Sequence, residues 1–176
     1  MGYLLNSLGN LPIDDDVSLY IFVINGGFNS PHFAAIEQNF SEIARRIGDN
    51  SVIAKGFTEE FYGEVCRKYL NKELRELFPH LPALLLTDAH PDRINDKSMR
   101  LLIPLKHAEK EFGDLSFFFR ALSDFAQHRN TMFFDKFEDR TDWFEAADAV
   151  IEVKPKFFGI GININELIKR LRPKVA

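Results

Sequence analysis

The sequence contains a single cysteine, Cys66, among its 176 residues. One cysteine cannot build an internal disulfide framework or a cysteine-rich zinc site. Long apolar runs are also missing, and residues 1–10 have neither the basic start nor the apolar centre of a signal peptide. We therefore expect a cytoplasmic protein that has no membrane partner.

The sequence also contains fewer basic residues than acidic residues, 22 against 26. The formal net charge is -4 and the sequence pI is about 5.7. Non-specific binding to nucleic acid needs a cationic face, so a nucleic-acid partner is not expected. The basic residues near the C-terminus are typical of the last turn of a helix and its tail, where they complement the helix dipole. They are Lys154, Lys156, Lys169, Arg170, Arg172 and Lys174.

Phenylalanine, by contrast, is abundant, with 18 residues. Its ring is large and has no polar group, so most of these side chains should be buried in the core or against a partner. A stacking platform for nucleic-acid bases is the alternative interpretation. The sequence contains no recognisable cofactor motif, and no cofactor is expected.

Apolar runs and helix-capping residues alternate along the first 128 residues. Runs of β-branched and aromatic residues predict strands, and Ser30, Thr58 and Asp114 are the predicted N-caps of helices. Residues 1–16 are interpreted as a lead-in, and the turn formers in residues 88–97 favour a hairpin. The predicted elements are strand 17–24, helix 30–47, strand 51–57, helix 58–69 with a continuation towards Leu77 left open, strands 83–87 and 99–105, and helix 114–128.

This order predicts an α/β fold. Two parallel crossovers, a hairpin and a closing helix give a mixed sheet, β-α-β-α-β-β-α, with helices on both faces. Residues 1–128 would form this core. Residues 129–176 are expected to add an aromatic-rich β/α extension packed on it, with a short helix at 141–147, a strand at 149–153 and a last helix capped by Asn163.

An apolar segment with two glycines lies within that extension, at residues 157–162. Its large side chains either pack across the domain, which we favour, or bind another subunit. The candidate partner-binding residues are Phe157, Phe158, Ile160 and Ile162.

Two segments resemble the thioredoxin fold. Residues 21–32 are similar to the strand, loop and helix of that family's active site, where Cys-x-x-Cys opens the first long helix; here Asn29-Ser30-Pro31-His32 occupies that position. Pro82 is similar to the family's proline at the start of the third strand, which has a cis peptide bond and faces the active site. The resemblance covers residues 17–128 and implies a cis bond before Pro82.

The resemblance does not extend to the chemistry. Disulfide exchange needs a thiolate at an exposed helix N-terminus, but both active-site cysteines are absent. Cys66 lies on the apolar side of a predicted helix and should be buried. Ser30 could replace a nucleophile, although a capping role is favoured. We therefore expect a redox-inactive, thioredoxin-like binding or assembly module whose partner is another protein or a second copy of the chain.

One alternative is a small-anion or nucleotide site in the loop formed by residues 25–31. A glycine-containing loop that runs into a helix N-terminus presents amide groups to an anion. The loop is neither G-x-G-x-x-G nor a P-loop. The candidate ligand-binding residues are Gly26, Gly27, Asn29, Ser30, His32 and Pro82.

A second alternative is a metal-dependent hydrolase or nuclease. Asp88, His90 and Asp92 follow a predicted strand, and carboxylate and imidazole groups are suitable ligands for a divalent metal. The same residue types are common in hairpin connections, so both interpretations stay open.

Overall fold

The computed structural model describes residues 1–27, 29–95, 98–130 and 133. The elements predicted beyond Phe133, including the apolar segment at 157–162, lie outside the described residues. The extension and its four candidate partner-binding residues therefore stay predictions.

Five strands form one mixed sheet in the order β1-β3-β2-β4-β5. β3 runs parallel to both β1 and β2, whereas β4 runs antiparallel to its neighbours β2 and β5. All six residues of β2 are buried, as its continuous apolar run predicts for a central strand covered on both faces. The strands are β1 (Gly2–Leu5), β2 (Leu19–Ile24), β3 (Ser51–Gly56), β4 (Ala83–Thr87) and β5 (Arg100–Pro104).

Within the described part of the chain, four α-helices accompany the sheet, and the three predicted N-caps are confirmed. The side chains of Ser30, Thr58 and Asp114 accept hydrogen bonds from the first turns of their helices. The helices are α1 (Pro31–Arg46), α2 (Glu59–Val65), α3 (Leu105–Phe112) and α4 (Leu115–His128). A π-helical segment follows α2 at Cys66–Leu70, and 3-10 helices lie at Leu8–Asn10, Leu74–His80 and Pro91–Arg93.

Helices cover both faces of the sheet, as predicted. α1, α3 and α4 pack on one face around residues such as Phe118 and Phe125, and Phe133 is buried in the same cluster. α2 and the π-helical segment pack on the other face around Phe22 and Phe61. No helix within the described ranges is long and apolar enough to cross a bilayer.

The interpretation of residues 1–16 as a lead-in is wrong, because they contain strand β1. This strand pairs with β3 from Gly2 opposite Ile53 to Leu5 opposite Gly56. A Cβ atom on Gly2 would lie 2.5 Å from the Cβ atom of Ala44, so the strand passes α1 at a distance that only glycine permits. Four residues with one buried side chain give too short a pattern to reveal a strand.

The second predicted crossover is also wrong, because β4 is antiparallel to β2 and not parallel. The predicted helix at 58–69 stops being α-helical after Val65, and the π-helical segment ends at Asn71, which has a left-handed backbone. The 3-10 helix at Leu74–His80 then returns the chain to the end of the sheet where β2 finishes, since Ala83 pairs with Ile24. This return reverses the direction of β4.

The predicted hairpin between β4 and β5 is confirmed, but its second strand is shorter than expected. β5 spans Arg100–Pro104, and Leu105 begins α3, which the sequence analysis missed. Leu105 and Ala108 are the buried side chains of this helix. The sequence pattern assigned Leu105 to the strand and predicted no element for residues 106–113.

A candidate binding site at the carboxyl edge of the sheet

The candidate site lies at the end of the sheet where β2 and β3 finish and β4 begins, which we call the carboxyl edge. Leu5 pairs with Gly56 at this end, Ile24 pairs with Ala83, and Ala83 pairs with Pro104. The residues that follow or precede this row therefore emerge at the same edge. They include the loop at residues 25–31, the start of α2 and Pro82.

Pro82 fixes one side of this edge. Its peptide bond with Leu81 is cis, as the sequence analysis predicted. Its carbonyl oxygen accepts a hydrogen bond of 2.9 Å from the amide of Leu105, which ties the start of β4 to the start of α3. Pro82 itself is buried, so it shapes the edge from within.

The N-terminus of α1 is largely occupied by its own cap. The Ser30 hydroxyl accepts a hydrogen bond of 3.1 Å from the amide of Phe33, and the Ser30 carbonyl accepts one of 3.0 Å from Ala34. Pro31 has no amide hydrogen. Of the first four amides of the helix, only that of His32 remains for a ligand, which is a weak basis for anion binding.

Carboxylates also surround this helix terminus. The His32 ring lies 3.0 Å from Oε2 of Glu109, which joins α1 to α3. Gly27 has a positive φ of 78°, and a Cβ atom there would lie 2.5 Å from Oε1 of Glu59. Glu59 and Glu60 form the first turn of α2. This acidic setting favours a neutral or cationic ligand over an anion.

Gly26 and Asn29 are the two remaining loop residues that were predicted to bind an anion, and they differ in solvent exposure. Gly26 is buried, whereas Asn29 is exposed, in the first position of the tetrapeptide that replaces Cys-x-x-Cys. The structure therefore brings the candidate ligand-binding residues together at one edge. It assigns capping or packing contacts to Ser30, His32, Gly27 and Pro82.

Asn25, which directly follows β2, carries the most unusual polar group of this edge. Its side chain is 5% exposed, and its Oδ1 atom is buried without a hydrogen-bond partner. Alternation along β2 places Asn25 on the face that contains Leu19, Ile21 and Val23, which α1 and α3 cover. A buried acceptor without a donor costs about 1–3 kcal/mol, so this atom is suited to accept a hydrogen bond from a ligand.

An exposed aromatic ring lies at the same edge. Phe57 follows β3 and is 64% exposed. The neighbouring Gly56 lies so close to the Phe61 ring that no side chain fits there, and its carbonyl accepts a hydrogen bond of 2.9 Å from the Tyr62 hydroxyl. These contacts fix the turn into α2, and the Phe57 side chain remains open to solvent.

The three candidate metal ligands lie away from this edge, in the connection after β4. Asp88 accepts a hydrogen bond of 2.7 Å from the amide of Met99, which closes the hairpin. His90 is buried, and its Nδ1 atom accepts a bond of 3.2 Å from the amide of Asp92. Its Nε2 atom, which must then carry the proton, donates to the Leu11 carbonyl at 3.1 Å.

These contacts occupy most of the atoms that could bind a metal ion. Both nitrogens of His90 are engaged, and the Asp92 side chain is 59% exposed, with Oδ1 3.9 Å from Nζ of Lys68. Within the described ranges there is no group of three or more His, Cys, Asp or Glu side chains that could hold a metal. The geometry is that of a hydrogen-bonded hairpin connection.

Cys66 is fully buried on the opposite face of the sheet, as predicted. It opens the π-helical segment after α2, and burial raises the pKa of its thiol to about 12. A neutral thiol without solvent access cannot act as a nucleophile in disulfide exchange.

Sequence reasoning pointed to the loop at residues 25–31 but missed the residues that give this edge its chemical character. Asn25 could have been noticed as a polar residue ending an otherwise apolar strand. Glu59 and Glu109 come from elements that approach the loop only in the folded chain. Comparisons of the chain with models of protein families, with curated proteins and with solved structures found no match.

Proposed function

We propose that the chain is a thioredoxin-like domain that binds another protein without thiol chemistry, and that the partner binds at the carboxyl edge. The strand order supports the resemblance: a central β2 lies between a parallel β3 and an antiparallel β4, and a hairpin leads to the closing helices. The cis bond before Pro82 agrees with it as well.

The unsatisfied Oδ1 atom of Asn25 is the observation that carries this proposal. Buried polar groups in folded proteins are nearly always hydrogen-bonded, so an acceptor at the end of a central strand needs a donor from elsewhere. Because the atom is buried, a main-chain N–H or a side-chain amide of a partner would reach it once the residues that cover it move aside. Three carboxylates near the edge, Glu59, Glu60 and Glu109, favour such a donor over an anion.

Phe57 supplies the apolar part of the proposed interface. Exposed aromatic side chains are frequent centres of protein–protein binding energy, because they bury a large area at a small entropic cost. Phe57 directly follows Gly56, and Asn25 directly follows Ile24. Gly56 and Ile24 both lie at the carboxyl edge, where they pair with Leu5 and Ala83, so Phe57 and Asn25 leave the sheet at the same end. A partner with one apolar side chain and an adjacent N–H group would use both features.

The proposal excludes a redox role because the two positions that would hold thiols are Asn29 and His32. Cys66 lies on the other face of the sheet. The metal hypothesis has less support, since His90 uses both ring nitrogens within the hairpin connection.

Affinity capture from the source cell, followed by binding measurements with the purified partner, tests the proposal. Phe57→Ser and Asn25→Ala should each weaken binding, Phe57→Ser by at least about tenfold, as expected for an aromatic anchor. Ile13→Ser is a matched control. Its side chain is 56% exposed, against 64% for Phe57, and it lies two residues from Leu11, which contacts His90 beyond the far end of β4.

Equal binding by the wild type and both edge variants would show that the partner does not use the carboxyl edge. A loss caused by Ile13→Ser alone would move the interface to the opposite end of the sheet. Thermal melting of each variant separates a lost contact from a lost fold.

A further inference from the structure

The two outer strands of the sheet differ in their protection against pairing. β5 carries Arg100 at its start and Pro104 at its end, both of which discourage the addition of another strand. β1, Gly-Tyr-Leu-Leu, is short but contains neither a charge nor a proline. Its Leu4 side chain is 52% exposed. Among the described strands, β1 is therefore the open edge.

The direction of the free backbone groups of β1 follows from its pairing with β3. The Ile53 amide donates a hydrogen bond of 2.9 Å to the Met1 carbonyl. In a parallel ladder alternate residues bond to the same neighbour, so Tyr3 and Leu5 also face β3. Gly2 and Leu4 therefore direct both their N–H and C=O groups outward.

We propose that β1 pairs with β1 of a second copy of this chain, antiparallel about a two-fold axis at Tyr3. Gly2 of one copy then lies opposite Leu4 of the other, and each such pair exchanges two N–H···O bonds. The two Tyr3 residues face each other at the axis as the non-hydrogen-bonded pair. The two five-stranded sheets become one continuous sheet.

The side chains of β1 complement one another in this arrangement. Opposite residues of an antiparallel pair point to the same face. A side chain at Gly2 would meet Ala44 of α1, so Gly2 and Leu4, two residues apart, both face α1. The exposed Leu4 of one copy then covers the surface beside Gly2 of the other, where no side chain stands.

Charge does not oppose this pairing. β1 has no charged side chain, and its neighbour in the ladder, Lys55, is paired with Glu37 of α1 at 2.6 Å. The paired strands themselves therefore bring no like charges together at the two-fold axis, and an isologous interface needs this self-complementarity. Two copies bury Leu4, whereas a single copy leaves it exposed.

The mass of the native particle tests the pairing. A full-length chain with any affinity tag at its C-terminus should sediment as a dimer of the 20.3 kDa chain at high micromolar concentration. Leu4→Lys should sediment as a monomer with an unchanged circular dichroism spectrum, because two lysines would be brought together near the axis. Ile13→Lys, the same change at an exposed site away from β1, should remain a dimer.

A cross-link identifies the interface directly. Tyr3→Cys places two cysteines opposite each other at the axis, within reach of a disulfide, and should give a covalent dimer under mild oxidation. Ile13→Cys should not, and Cys66 is buried in both variants. A monomeric wild type, a Leu4→Lys dimer as stable as the wild type, or equal cross-linking of both cysteine variants would overturn the proposal.

This inference does not depend on the partner at the carboxyl edge. Phe57→Ser and Asn25→Ala leave the backbone groups of β1 in place. Both variants should therefore sediment as dimers, like the wild type. Loss of partner binding with an intact dimer, or the reverse, separates the two proposals.

Discussion

Gly27 and Glu59 meet where the loop before α1 passes the first turn of α2. A Cβ atom on Gly27 would lie 2.5 Å from Oε1 of Glu59, and the φ angle of Gly27 is 78°. The positive φ favours glycine, whereas the exposed carboxylate of Glu59 can move away from an added Cβ atom at little cost. This contact connects two elements that border the carboxyl edge.

Replacing Gly27 with alanine should lower the free energy of unfolding by about 1–2 kcal/mol, because an L side chain is strained at a φ of 78°. Gly113→Ala is a matched control, since its φ of 77° is nearly the same but no atom lies within 4 Å of the added Cβ. Urea denaturation should show similar losses for both variants. The loss caused by Gly27→Ala should persist in a Glu59→Ala background, whereas its recovery there would show that the Glu59 carboxylate is held in place.

Replacing His90 with alanine should destabilise the fold by removing structural contacts, and it should not change the response of the protein to metal ions. His90→Ala deletes one buried and one partly buried hydrogen bond, and it removes a ring that packs edge-on against Tyr20 with 5.8 Å between the ring centroids. We expect a loss of about 2–4 kcal/mol, against less than about 1 kcal/mol for Asp92→Ala, whose side chain is mostly exposed.

Melting in the presence of metal ions distinguishes a structural role of these residues in the hairpin connection from a metal site. Magnesium, manganese or zinc should not raise the melting temperature of the wild type. A stoichiometric metal in the purified protein that is lost in Asp88→Ala would move the metal-dependent enzyme hypothesis to first place.

Cys66 should not react with a thiol reagent while the protein is folded. Its side chain is fully buried and its pKa is raised to about 12, so both access and thiolate are lacking. Labelling with Ellman's reagent should appear only with unfolding in guanidinium chloride. Insulin reduction should also be absent. Turnover that disappears in Cys66→Ala would disprove the redox-inactive assignment.

Alkaline pH should destabilise the protein in the window set by Cys66. The unfolded thiol ionises near its usual pKa of 9.0, whereas the folded thiol stays neutral to about pH 12. Unfolding therefore releases a proton between these values, and stability falls by about 1.4 kcal/mol for each pH unit in that window. Burial also raises the pKa of Tyr69, which adds to the loss at the upper end.

Melting curves of the wild type and Cys66→Ala from neutral to strongly alkaline pH measure this dependence. The variant should show a shallower decline above pH 9, with the tyrosine contribution remaining. Parallel declines in the two proteins would mean that the Cys66 thiol ionises in the folded state.

The elements that the sequence predicted well have strong local signals. β2 is a six-residue apolar run, and α1 begins with Ser30-Pro31 and has its buried residues at helical spacing. α4 combines an Asp114 cap with a long amphipathic pattern. In each case the segment's own residues specify its type and at least one of its ends, without tertiary information.

Two of the errors concern features that only the assembled fold determines. β1 is recognisable because it pairs with β3, and the direction of β4 depends on where Leu74–His80 returns the chain. The site follows the same rule. The loop at residues 25–31 was found from its glycines and proline, but the unsatisfied atom of Asn25 and the acidic neighbour Glu59 depend on contacts distant in sequence.

The central position of β2 has a consequence for how the protein opens. Ile21 is paired with Ile53 of β3 on one side and with Leu86 of β4 on the other. The strand cannot separate from either neighbour without breaking the sheet that holds both helical layers together. Its amide protons should therefore exchange with solvent only when the whole domain unfolds, and their exchange rate should report the global stability of the molecule.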